Sequence, residues 1–317
     1  MLKKSFSAGD IGLHPRTFAK ISNILEKNGF LVILSRKPFK AVVPYNSFLG
    51  NLLAYYGHAS LAARRKDIEY LKEIEKELSK FRKLRARNFQ RYRSILEAFQ
   101  IRFIHHSLSI EGNPITLAQT FRLLQDKIVP ENLKMDSVME VQGYQKAFQQ
   151  MLKNVQDEIA LSLDIILNYH FMAMQYRPDI AGKIRDVPVF IRGNEDFEVA
   201  DVENIKPMLE ELIKRHNALL KKTTLSLPEI LDFAAYLHNE FQHIHPFFDG
   251  NSRTTRIITF HFLLMNDIPI FDIPLGMLEE YVRATKGSAS RNDAMLKQAL
   301  QIIILHNLKT INEKLAE

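Results

Sequence analysis

The 317-residue chain is 46% hydrophobic and 25% charged, enough for a large core in two or three domains. It contains no cysteine, which excludes disulfide scaffolds, thiolate metal sites and cysteine nucleophiles and fits a reducing compartment. The net charge of +7 is uneven: residues 1–93 hold 20 Lys and Arg against 7 Asp and Glu, leaving 23 against 29 in the rest, so the front should attract polyanions.

No apolar run follows Lys3 and Lys4, which argues against a signal peptide, and no stretch approaches the roughly 20 residues of a membrane span. A cytoplasmic protein without membrane contact is the expectation. From Thr17 to Asn28 the spacing of Phe18, Ile21, Ile24 and Leu25 predicts a helix closed by Gly29. Two apolar strands, 30–34 and 40–44, follow around the basic turn 35–38. Helix plus basic hairpin resembles a winged-helix unit over 1–60, with Arg16 and Thr17 opening the recognition helix, although no first helix precedes residue 7. DNA contact through the basic 1–93 and a plain packing subdomain with solvated charges are both open at this point.

Ile68, Leu71, Ile74, Leu78, Phe81 and Leu84 recur every three or four residues, predicting one long amphipathic helix. Its Glu/Lys surface makes 61–100 a basic, solvent-exposed connector. In the stretch His105-His106-Ser107-Leu108-Ser109-Ile110-Glu111-Gly112-Asn113-Pro114, Ser107 and Glu111 share a helix face that Gly112 to Pro114 ends. His105 and His106 read as incidental. Helical patterns cover 116–124, 137–151 and 161–176, the last with His170 as a satisfied core histidine. Alternation in Val187-Pro188-Val189-Phe190-Ile191, bounded by Gly182 and Gly193, predicts a short β-hairpin. Helices follow over 207–220 and from Leu227, where Pro228 sits near the first position.

The densest chemistry lies at 243–256, His-Ile-His-Pro-Phe-Phe-Asp-Gly-Asn-Ser-Arg-Thr-Thr-Arg. His245 is a titratable base. Asp249 offers the hard oxygen that Mg²⁺ prefers. Gly250, Asn251 and Ser252 form a turn whose N–H groups can hold an anion, and Arg253 and Arg256 fall on one face of the helix that follows. A buried helix to Met265 and a closing amphipathic helix over 294–316 complete the chain.

This stretch resembles the Fic-domain motif His-x-Phe-x-(Asp/Glu)-Gly-Asn-Gly-Arg-x-x-Arg at His245, Phe247, Asp249, Gly250, Asn251, Arg253 and Arg256. Ser252 stands where the family usually has Gly. A position needing positive φ would strain Ser; one that only donates its N–H would not. Ser107 and Glu111 resemble the family's inhibitory sequence placed ahead of the Fic core. Residues 181–193 resemble its flap, with Val187, Val189, Phe190 and Ile191 pairing main chain to main chain with a target segment. The resemblance implies a mainly α fold, a Fic-type helical bundle over 101–317 with a small β-hairpin flap, preceded by the winged-helix-like α+β segment.

It further implies a protein adenylyltransferase that moves AMP from ATP to a Ser, Thr or Tyr hydroxyl of a target protein or of itself. His245 would be the general base and Asp249 the Mg²⁺ ligand. Phe247, Gly250, Asn251, Ser252, Arg253 and Arg256 would bind ATP, with Tyr281 against the adenine and the Asn251 side chain on the α-phosphate. Glu111 would occupy Arg256 and slow the resting enzyme. The alternatives are removal of AMP at the same site, a different phosphate donor, and a DNA-binding regulator with an inert or sensing Fic core; homodimerisation is left open.

Overall fold

Apolar residues spaced three and four apart run through most of this sequence, and in the computed structural model they form helices. The structure describes residues 12–27, 32–42, 70–130, 133–191, 194, 196–222, 224–269, 272–274, 277–285 and 291–317. The chain divides into two compact units, 1–57 and 58–317.

In the first unit, α1 (Pro15–Lys27) begins with Pro, which fills a first-turn position where no N–H is needed. Strand β1 (Val32–Arg36) pairs antiparallel with β2 (Phe39–Val42). Phe18 sets its ring edge-on to Phe39, centroids 4.7 Å apart. Arg36 donates to Asn23 and Glu26, each at 2.9 Å, and so lies back on α1. The helix lies where expected, the hairpin turn is confined to 37–38 with Ser35 and Arg36 in β1, and Arg16 and Thr17 are exposed. Gly29 and residues 1–11 and 43–57 fall outside the described residues.

The second unit holds α2 (Leu71–Arg87), α3 (Phe89–Ile110), α4 (Leu117–Phe121, continued by a π-helical turn at Arg122–Asp126), α5 (Met135–Gln156) and α6 (Leu163–Ala173). Then come α7 (Ile205–Leu220), α8 (Leu227–Ile244), α9 (Asn251–Met265), α10 (Leu278–Thr285) and α11 (Asp293–Ala316). Helices apolar on every side go to the middle of a bundle. Accordingly α9 is buried without a gap from Arg253 to Leu263, and α11 from Ala299 to Leu305. Helices α5, α6 and α8 pack around α9, and α8 also meets α11. No described helix is long and apolar enough to cross a membrane.

Three expectations are corrected here. The single exposed helix through 68–100 is two helices, broken at Asn88, whose side chain accepts the Arg91 N–H at 3.3 Å and starts α3. Nor is α2 a solvent-exposed connector. It packs on α11 and buries Ile74, Leu78 and Phe81, while Arg82 and Arg85 close on Asp267. The predicted hairpin at 181–191 also forms no strand among its described residues. Its carbonyls find a side chain instead: the Arg185 guanidinium donates to Val187 O at 2.9 Å.

Candidate active site

Helix α8 stops because His245 turns left-handed, at φ 47° and ψ 57°, while its N–H still bonds Phe241 O at 3.0 Å. A non-glycine residue there costs about 1–2 kcal/mol and persists only when its surroundings hold it. The loop that follows is pinned at both ends. Asn251 Oδ1 accepts the Phe247 N–H at 2.9 Å, and its Nδ2 donates to Phe247 O at 2.7 Å. Both ends of that amide therefore brace the loop. Phe247 is wholly buried and stacks on His170, centroids 3.6 Å apart. It anchors the loop. Gly250 sits at φ 81°, and a Cβ there would lie 2.8 Å from Met174 Sδ and 3.0 Å from His170 Nε2.

The end of α9 is built to receive an anion. Its cap is Gly250, which offers no side chain, and no hydrogen bond among the described residues engages the N–H groups of Asn251, Ser252 or Arg253. Such open first-turn donors, at the positive end of the helix dipole, bind phosphate. Ser252 lies inside this helix and not among the positive-φ residues, so Ser is unstrained at that position.

Asp249 and Arg253 sit beside these donors. Asp249 is half-exposed; its Oδ1 accepts from Gly250 N at 2.5 Å and from Arg253 at 3.0 Å. Arg253 is buried and donates further to Tyr176 at 2.8 Å and to Glu140 of α5. Its Nε is buried without a partner. One turn on, Arg256 is 4% exposed. Its guanidinium donates to Ser107 Oγ at 2.6 Å, Ser107 O at 2.9 Å and Glu111 Oε1 at 2.9 Å. Burial works against the charge on Arg256, and Glu111, with Tyr144 and Tyr281, outweighs it, so the group stays ionised.

Ser107 and Glu111 thus meet Arg256 as their one-face spacing requires. The same turn also reaches Arg253, by a route that sequence gave no sign of. Asn113 Nδ2 donates to Glu140 at 2.7 Å, and Glu140 holds Arg253. Tyr144, another residue sequence did not single out, accepts from Ser107 Oγ at 2.8 Å and donates to Arg253 O at 3.3 Å.

A carbonyl only accepts, so the 3.1 Å contact from His245 Nδ1 to Gln242 O places a proton on Nδ1, and in the neutral ring Nε2 is then the basic nitrogen. His170 is also fixed. Its Nδ1 accepts from Gly182 N at 2.9 Å and its Nε2 donates to Asp249 O at 2.9 Å, while burial pushes it down to about 4. It is the satisfied core histidine expected, and it clamps the loop as well. Tyr281, the expected adenine contact, is 4% exposed, and its hydroxyl shares a 3.0 Å hydrogen bond with His238. Val187 and Phe190 are exposed, Phe190 to 82%, with Val189 and Ile191 half-buried between and after them.

A family model described as Fic/DOC family matches residues 160–263. Curated relatives include proteins named protein adenylyltransferase Fic. The one from Drosophila erecta is 24% identical over 274 residues, 86% of this chain and 54% of the relative. The one from Nematostella vectensis is 27% identical over 261 residues, 81% of this chain and 58% of the relative. The chain spans little more than half the length of these relatives. A crystal structure of a Fic domain containing signaling protein from Bacteroides thetaiotaomicron superposes with a TM-score of 0.66 at 22% identity, covering 77% of this chain and 97% of that one. Fic-1 from C. elegans gives 0.62 at 22% identity, covering 77% and 72%. The Fic helical fold is common to all of them.

Proposed function

We propose, from a Fic domain at residues 160–263, that this chain is a protein adenylyltransferase moving AMP from ATP to a protein hydroxyl. The carrying observation is His245, its Nδ1 held by the Gln242 carbonyl, in one loop with Asp249 and the open N-terminus of α9. The acceptor oxygen bonds to the α-phosphorus, the bond from that phosphorus to the β-bridging oxygen breaks, pyrophosphate leaves, and Nε2 takes the hydroxyl proton. The N–H groups of residues 251–253 hold the charge that builds on the α-phosphate. Arg253 supplies fixed positive charge beside them.

No group of three His, Asp or Glu among the described residues could cage a metal alone. A half-exposed Asp249 beside a phosphate site nevertheless fits Mg²⁺, which is held by one or two carboxylates plus phosphate oxygens and water. When bound, the ion would neutralise charge on the leaving pyrophosphate.

In this reading Glu111 is a brake. Ser107 and Glu111, from α3 and its end, hold the Arg256 guanidinium, and a terminal phosphate would have to displace the Glu111 carboxylate to reach it. The test incubates wild type, Glu111→Gly and His245→Ala with α-labelled ATP and Mg²⁺ and follows label on protein. Glu111→Gly should label more than wild type, and His245→Ala should lose about 10²–10⁴-fold. Equal or lower labelling by Glu111→Gly would remove the brake, and full labelling by His245→Ala would remove the base. Release of AMP from labelled protein would favour hydrolysis instead.

A further inference from the structure

Arg185 is a buried cation, 5% exposed, and no described carboxylate pairs with it. Its partners are all main-chain carbonyls. Nε donates to His245 O at 2.7 Å, one terminal nitrogen to Val187 O at 2.9 Å, and the other to Ala200 O. Its own backbone N–H donates to Pro246 O at 2.9 Å, and Ala200 N donates to His243 O at 2.9 Å. The last carbonyls of a helix have no partner within it and carry the negative end of its dipole. Here two carbonyls just beyond α8, those of His245 and Pro246, meet one residue. Burial lowers the Arg185 pKa, with Asp201 as the opposing charge.

The other arginines of the site pair with acids and are placed to meet phosphate; Arg185 forms no ion pair among the described residues and is held by carbonyls. It grips the carbonyl of the residue whose left-handed turn aims the candidate base, and with the same planar fork it grips the start of the segment that carries Val187 and Phe190. The geometry points to Arg185 as a positioning residue that locks the His245 turn to the acceptor-docking segment 187–191, so that a docked chain presents its hydroxyl to Nε2. This rests on the transfer reading above. Lysine cannot replace it, because one ammonium cannot span three divergent carbonyls as a rigid planar fork does.

The experiment uses the full chain in a Glu111→Gly background, carrying Arg185→Ala or Arg185→Lys. Three quantities are read: labelling rate at saturating ATP, ATP affinity by calorimetry, and backbone amide exchange over 183–191 and 241–246. Arg185→Ala should slow labelling about 100-fold, the scale of a misplaced reacting group. ATP affinity should match the parent, and exchange should quicken in both segments together. Guanidinium ion, kept below denaturing concentration, should restore labelling in Arg185→Ala with saturation. It should not do so in Arg185→Lys, whose stem fills the hole. Labelling at the parent rate, or a loss matched in ATP affinity and untouched by guanidinium, overturns the proposal. Should Arg185→Ala not fold, Arg185→Lys decides: slowed labelling with ATP affinity kept supports it, and parental behaviour overturns it. A Glu111→Gly parent that labels nothing defeats the transfer reading alone. Amide exchange then still judges Arg185, since quickening confined to 183–187 rejects the lock.

Discussion

Gly250 shows how little freedom the motif has at single positions. Its φ of 81° and the 2.8 Å approach of Met174 Sδ to a hypothetical Cβ act together. Gly250→Ala should therefore lower stability by about 2–4 kcal/mol, the sum of a left-handed alanine and an overpacked contact. Urea unfolding measures this, and labelling should fall with it. Ser252 is the contrasting case. Because it is helical, Ser252→Gly has no strain to relieve and should cost about 0.5 kcal/mol of helix propensity without raising activity. A gain in labelling would mean that the position needs a conformation other than the one seen. Motif residue types were legible in sequence because they lie close together. Where each side chain points was not. Asn251 turns to its own loop, Phe247 to His170 and Tyr281 to His238, and each choice is made by a partner distant in sequence.

Between elements, α5 does work that its sequence conceals. Glu140 is one carboxylate among several on an amphipathic helix, and Arg253 lies 113 residues away. Nothing local marks it. Glu140→Ala leaves Arg253 with only half-exposed Asp249 for charge and strips Asn113 of an acceptor, so unfolding free energy should drop by about 3–5 kcal/mol. A loss under 1 kcal/mol, by urea titration, would show the pair to be inert. Element positions were otherwise readable from periodicity, as with α8 after its Ser226–Glu229 capping box. Two misreadings have physical causes. Asn88 breaks a continuous apolar pattern because an N-cap can restart a helix without shifting the buried face. The alternation at 187–191 forms no strand because the Arg185 side chain meets a carbonyl there.

For the molecule as a whole, acid should be the weak side. Burial pushes His105, His170, His216 and His261 down to about 4, and His238, with Arg256 nearby, to about 3. Each is neutral when folded at pH values where the unfolded chain, with histidine near 6.5, takes up protons. Stability should hold above about 6.5 and fall as pH drops toward 4, because the unfolded state binds more protons across that window. Melting temperature against pH reads this directly; a flat profile from 7 to 4 would contradict it. Core histidines were anticipated at His170, but the number of them was not, since a polar ring on an apolar face gives no sign of which backbone groups will satisfy it.

The clamps on Arg253 and Arg256 reach back to Glu140, Ser107 and Glu111, all upstream of residue 160 where the family match begins. A polypeptide trimmed to 160–263 would keep both cations inside the buried α9 and lose three of the groups that make their burial tolerable. The recognisable domain is therefore smaller than the foldable one, and its boundary is drawn by electrostatic solvency rather than by sequence likeness.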